Sequence, residues 1–154
     1  MKVMSVQYTY YETEDKKGKH TFTTTCQVKM VLEDDYEQRW QCEIDILPGF
    51  KCDGLSVPVI FRWFLPSWDK KNGLYNLAGA IHDGLYANCG YYAFNRSECD
   101  DIFRGLLRES GICRFKASSA DWCVGKFAGG DSHWGNDSYN CKDLIKLKLF
   151  KRLD

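Results

Sequence analysis

The chain contains no apolar run approaching the roughly 20 residues that span a bilayer, so no transmembrane segment is expected. It has no net charge, since 21 Lys and Arg offset 21 Asp and Glu. Without a basic excess, nothing points to nucleic acid as the main partner. It has no Cys-x-x-Cys pair, and its three histidines are scattered. That argues against a structural zinc site and leaves few ligands for a two-metal nuclease or phosphohydrolase centre. No repeat, low-complexity tract or dividing linker occurs. The start, Met1-Lys2-Val3-Met4-Ser5, continues into polar residues rather than the apolar stretch of a signal peptide. The expectation is a protein that stays in a cytoplasm, or that leaves by lysis or inside a particle.

What is present fits one domain with a real core: 154 residues, 44% hydrophobic and 15% aromatic. Eight cysteines without a secretory signal are expected to be free and mostly buried thiols. Residues 1–48 form a β-rich part, 49–75 a loop region, 76–130 a helical part and 131–154 a tail. Strand-forming residues at 5–12, an alternating stretch at 21–32 and clean alternation of Trp40, Cys42, Ile44 and Ile46 predict a small antiparallel sheet built from hairpins. Residues 13–20 read as a turn or loop, and the tail from Asp143 as helix or strand. The loop region carries Pro48, Gly49, Gly54, Pro58, Pro66 and Gly73 interleaved with aromatics, and one short helix near Val59–Leu65 is expected. Helices follow over 74–88, 96–109 and 117–127. The fold class is α+β: an amino-terminal sheet, then a helical half in which two packed antiparallel helices carry a His-Asp motif.

That motif is Ala80-Ile81-His82-Asp83-Gly84-Leu85-Tyr86. On a helix, Leu77, Ile81 and Gly84 centre the apolar face, while His82, Asp83 and Tyr86 project from the other side. His82 and Tyr86 are four apart and can touch. An ordinary surface helix would carry Lys, Glu or Gln there, so a second buried surface is expected. The helix over 96–109 offers it: Cys99, Ile102, Phe103, Leu106 and Leu107 form its apolar stripe, with Asp100 on the edge and Arg96 four residues before it. In an antiparallel pair Asp100 meets His82, fixes its tautomer and leaves the other nitrogen free to take a proton from water. Asp83 points round the helix and is better placed to ligate a cation. Calcium needs about six to eight oxygens. The segment Cys52-Asp53-Gly54-Leu55-Ser56 supplies a second carboxylate in Asp53 and a glycine that lets the backbone turn its carbonyls inward. The structural alternatives are a buried polar network, a helix salt bridge between Arg96 and Asp100, and a turn that simply uses Gly54.

The stretch from Leu47 to Pro58, Pro-x-Gly-Phe-x-x-Asp-Gly-x-Ser-x-Pro, followed by His82-Asp83-x-Leu85-Tyr86 and then by Arg96, Asp100 and Phe103, resembles a family of short phage and prophage proteins of unknown function. The resemblance covers about residues 40–134. It implies a phage origin, and with it a place in the host cytoplasm or the phage particle. A more distant likeness is to the prokaryotic and viral forms of phospholipase A2, in which a His-Asp-x-x-Tyr helix packs on a second helix carrying an Asp. That likeness implies His82 as the base, Tyr86 and Asp100 as its supports, and Asp83 as a calcium ligand. The remaining oxygens would come from Asp53, Gly54 and Leu55. Secreted phospholipases flank the histidine with cysteines where this chain has Ala78, Gly79 and Leu85, and they have no counterpart of the amino-terminal sheet.

Two functions follow as expectations. One is a calcium-dependent hydrolase of a phospholipid or other ester, with Phe61, Trp63, Phe64, Leu65 and Trp68 lining an acyl channel, touching a membrane surface, or packing in the core. The other is a non-catalytic virion or tail protein, or an inhibitor of a host system, that binds a phage or host protein and uses the His82 cluster as a structural polar network. His133 and Trp134 fit either site without an assigned role. The basic tail (Lys142, Lys146, Lys148, Lys151, Arg152) reads as a solvated face.

Overall fold

The computed structural model describes residues 1–55, 57–127, 134–137 and 142–151. Ser56, His133 and Arg152 of the sequence reading lie outside them, as does one of the eight cysteines, Cys141. The elements are β1 (Lys2–Thr9), β2 (Glu14–Lys16), β3 (Lys19–Thr21), β4 (Cys26–Glu33), β5 (Arg39–Ile46), β6 (Lys51–Cys52), α1 (Gly73–Ala87), α2 (Arg96–Glu109), α3 (Arg114–Phe127) and β7 (Ile145–Lys151). The fold is α+β, an early antiparallel sheet followed by three helices.

The main sheet runs β1-β4-β5-β7, every neighbouring pair antiparallel. Its inner face is set by period-two alternation: Cys26, Val28, Met30 and Leu32 of β4 and Cys42, Ile44 and Ile46 of β5 are buried. The fourth strand comes from the far end of the chain, with Ile145 opposite Ile46. The tail is therefore strand, and the sheet is not confined to the first third. Residues 13–20, read as loop, contain the hairpin of β2 and β3. Lys17 and Gly18 both have positive φ, the turn whose twist suits two adjoining strands. β3 also pairs with β6, making a second, three-stranded sheet.

α1 and α2 pack on the main sheet, and α3 packs on α2. α1 is buried all round apart from Gly73 and Asp83, the pattern of a central helix. Each of Leu77, Ile81 and Leu85 there contributes about 1.5–3 kcal/mol. Gly84 lets α1 approach β7, because a Cβ there would lie 2.4 Å from Ile145 Cδ1. Asn72 caps α1 by accepting from Tyr75 N, and Asn95 and Glu98 form a reciprocal capping box on α2. α1 and α2 run antiparallel: Asn72 at the start of one donates to Ser110 O past the end of the other, while Tyr86 meets Arg96 at the opposite ends. The described cysteines are all free, and five of the seven are buried. No described helix is long and apolar enough to cross a membrane.

Candidate active site

His82 sits between α1 and α2 with only 5% of its side chain exposed. Its ring lies 4.2 Å from that of Tyr86 and 4.7 Å from that of Phe103, between centroids. Nε2 is 3.0 Å from Asp100 Oδ1, and Tyr86 Oη donates to the same oxygen at 2.6 Å. Burial pushes the Asp100 carboxyl up, but the hydrogen bonds from His82 and Tyr86, with the Arg96 charge, outweigh it and hold the group below its ordinary value. An ionised carboxylate only accepts, so Nε2 carries the proton and Nδ1 the lone pair. Among the described residues His82 makes no other hydrogen bond, so Nδ1 has no partner among them.

Tyr86 is itself held. Arg96 Nε donates to its hydroxyl at 3.2 Å, and the guanidinium carbon lies 6.0 Å from the ring centroid. Trp134 packs edge-on against the ring at 5.1 Å. Burial and the bond to Asp100 raise the phenol well above its usual range. The connection from α1 to α2 that brings Arg96 here passes through four consecutive left-handed residues, Cys89 to Tyr92. Each non-glycine among them costs about 1–2 kcal/mol. Tyr91 Oη donating to Ile145 O helps to hold the turn.

The second set of residues lies one turn round α1. The loop after β6 is fixed in steps. Tyr75 Oη donates to Pro66 O at 2.6 Å, and Asn76 bonds both the N–H and the carbonyl of Asp69, so α1 holds 66–69. Leu55 N donates to Ser67 O at 2.8 Å, so that segment holds Asp53-Gly54-Leu55. Gly54 has φ +82, and a Cβ would lie 2.1 Å from Ser67 O, so only glycine fits. Leu55 rests on Gly79, one helical turn before Asp83. The half-buried Asp83 therefore faces the Asp53 loop. Burial, then the Asp53 carboxylate, pushes its carboxyl up to about 8. Leu55 O already accepts from Val57 N at 2.8 Å. Among the described residues no three His, Cys, Asp or Glu side chains are grouped to hold a metal.

Thus His82, Tyr86 and Asp100 form one bonded set, and Asp83, Asp53, Gly54 and Leu55 a second beside it. Sequence reasoning missed Asp121 on α3. Arg104 Nη1 donates to its Oδ2 at 3.0 Å. Burial raises the Asp121 carboxyl, and the charges of Asp100 and Asp101 add to this against the pull of Arg104 and His82. Its one sequence signal is a lone acid in an otherwise apolar and basic helix. Asp101, next to Asp100 on α2, is half-buried and paired with Arg104.

A buried histidine–carboxylate pair thus lies between two antiparallel helices, beside an antiparallel sheet whose strands come from both ends of the chain. Residues 28–124 match DUF1353, a protein family of unknown function, and the chain belongs to that family. The matched span holds both sets of site residues and Asp121, but not β1, Trp134 or β7. No curated protein and no solved structure gives a match.

Proposed function

We propose that the protein is a hydrolase in which His82 activates water against a lipid ester, with chemistry like that of phospholipase A2. The observation that carries this is the 3.0 Å bond from Nε2 to a low-titrating Asp100, with Nδ1 left without a partner among the described residues. Nδ1 takes a proton from water as the water oxygen attacks the ester carbonyl. Asp100 stabilises the imidazolium. The proton then passes to the departing alkoxide, the ester C–O bond breaks, and a carboxylic acid and an alcohol are released. Tyr86 and Arg96 position Asp100 and touch no substrate.

Asp53 and Asp83 fit a hard divalent cation, because the charge of one raises the other, a repulsion that calcium relieves. The rest of the roughly six to eight oxygens would be loop carbonyls, from Gly54 and Leu55, and water. Calcium bound there would supply positive charge to polarise the ester carbonyl. The setting that goes with this chemistry is a phage-encoded protein in the host cytoplasm or the particle.

One observation favours a second reading: His82 is 5% exposed, on a helix buried almost all round. The cluster would then fix the fold of a virion or tail protein or of a host inhibitor, without catalysis. A calcium-titrated assay on a panel of phospholipids separates the two. Turnover is expected in the wild-type protein and is expected to be lost in folded His82→Ala. Equal turnover in the variant removes His82 from the mechanism, and no turnover on any lipid leaves the second reading.

A further inference from the structure

Away from His82, the loop before α1 and the outer face of α3 enclose an apolar groove of about 310 Å³, walled by Phe61, Phe64, Phe115 and Trp122, with Ser118 and Ser119. Around it the molecule exposes large apolar side chains: Val59 74%, Ile60 73%, Trp63 84%, Phe115 77% and Trp122 54%. Of the apolar residues read as channel lining, membrane contact or core, Leu65 is buried, Trp68 stacks on His20 at 3.7 Å, and Trp63 turns outward. A contiguous apolar patch of this kind marks a contact surface.

Its charge is one-sided in a chain with none overall. Residues 57–66 and 114–127 carry Arg62, Arg114, Lys116 and Lys126, none of them in an ion pair among the described residues, against one acid, Asp121. Asp121 is half-buried and paired with Arg104 of α2. Lys126 lies 5.4 Å over the Trp122 ring, so at least one cation stands at the groove itself.

We infer that this face docks on an anionic phospholipid bilayer, with Trp63, Val59 and Ile60 entering the interface, the cations meeting lipid phosphates and carboxylates, and an acyl chain lying in the groove. Tryptophan beside Lys and Arg is the composition of interfacial segments. A second copy of the chain fits poorly, because a two-fold contact would set the four cations against four others. A peptide strand fits poorly too: the Ser119 hydroxyl is spent on Phe115 O, and the groove is walled mainly by phenylalanine and tryptophan rings rather than by groups that pair with a peptide backbone. Asp121, next to Trp122 in α3, pairs with Arg104 of α2, so α3 joins the docked face to the helix that carries Asp100. The inference deepens the lipid-ester proposal by naming the lipid surface, yet binding does not require turnover.

The test is flotation of the whole protein with vesicles of phosphatidylcholine alone and of equal parts phosphatidylcholine and phosphatidylserine, at low and high salt. Binding to the anionic vesicles is expected, weakening with salt. Removing Lys116 as K116E is expected to lower it at least about fivefold, and Trp63→Ala to lower it as well. Folded His82→Gln is expected to bind as the wild type does, so a failure of catalysis and a failure of docking are told apart. No binding to anionic vesicles, equal binding by the two surface variants, or capture of an acidic amphipathic peptide in preference to vesicles would overturn the inference.

Discussion

Replacing Tyr86 by Phe removes one oxygen and leaves the ring packed between His82 and Trp134. The lost hydroxyl donates at 2.6 Å to Asp100, whose side chain is 26% exposed. Hydrogen bonds to a charged group contribute about 1.5–3 kcal/mol, and partial exposure puts this one at the lower end, about 1–2 kcal/mol. For a chain of this length that is a Tm lowered by about 2–8 °C near neutral pH. The pH dependence identifies the cause. Asp100 titrates below its unfolded value when folded. Stability from this carboxylate is therefore present above that unfolded value, about 4, and is lost as pH falls through the folded one. Removing a donor moves the folded value back up. The gap between wild type and Tyr86→Phe is therefore widest near neutral pH and closes in acid. Urea denaturation followed by tryptophan fluorescence at a series of pH values measures it, with an unchanged slope showing that the unfolded state is the same. A gap that is constant with pH would mean that the hydroxyl only packs. No gap at neutral pH would refute the bonded set.

Asp83 has the opposite sign. Its folded carboxyl is raised to about 8, so the stability it lends is full below its unfolded value and is lost as pH rises through about 8. Asp83→Asn should match the wild type in melts near pH 4 and exceed it by about 1–3 kcal/mol above pH 8, and there calcium should raise the Tm of the wild type and not that of the variant. Gly54→Ala combines a left-handed φ with a Cβ 2.1 Å from Ser67 O and should cost about 3 kcal/mol. Gly18→Ala, equally left-handed but in open space, should cost about 1 kcal/mol. Equal losses in the two thermal melts would remove the close approach at Ser67 as the reason for Gly54.

The helices were legible because their signals are local. α2 begins after Asn95 and ends at Glu109, where caps and the apolar stripe put it. The His82–Asp100 contact followed from one short connection and two helical periods. The sheet was only partly legible, since strand pairing is non-local. The tail alternates Ile145, Leu147 and Leu149 with lysines, a strand pattern at half amplitude, but nothing local names β5 as its partner. The β2–β3 hairpin hid because its six strand residues are mostly polar and its turn is Lys17-Gly18 rather than Asn-Gly. The left-handed turn at Cys89–Tyr92 runs against the preference of three of its four residues. It is held by tertiary contacts such as Tyr91 to Ile145. Asp121 and Trp134 reach the His82 cluster from elements distant in sequence, which residue spacing does not reveal.

The central physical claim is that one nitrogen of His82 is held by Asp100 while the other is left bare. Long-range proton–nitrogen NMR of the histidine rings, with His82→Gln to assign the signals, reads this directly. The bonded geometry predicts that in the neutral ring the proton sits on Nε2 and Nδ1 is bare. A proton on Nδ1 with a bare Nε2 would contradict it and leave His82 no base to offer.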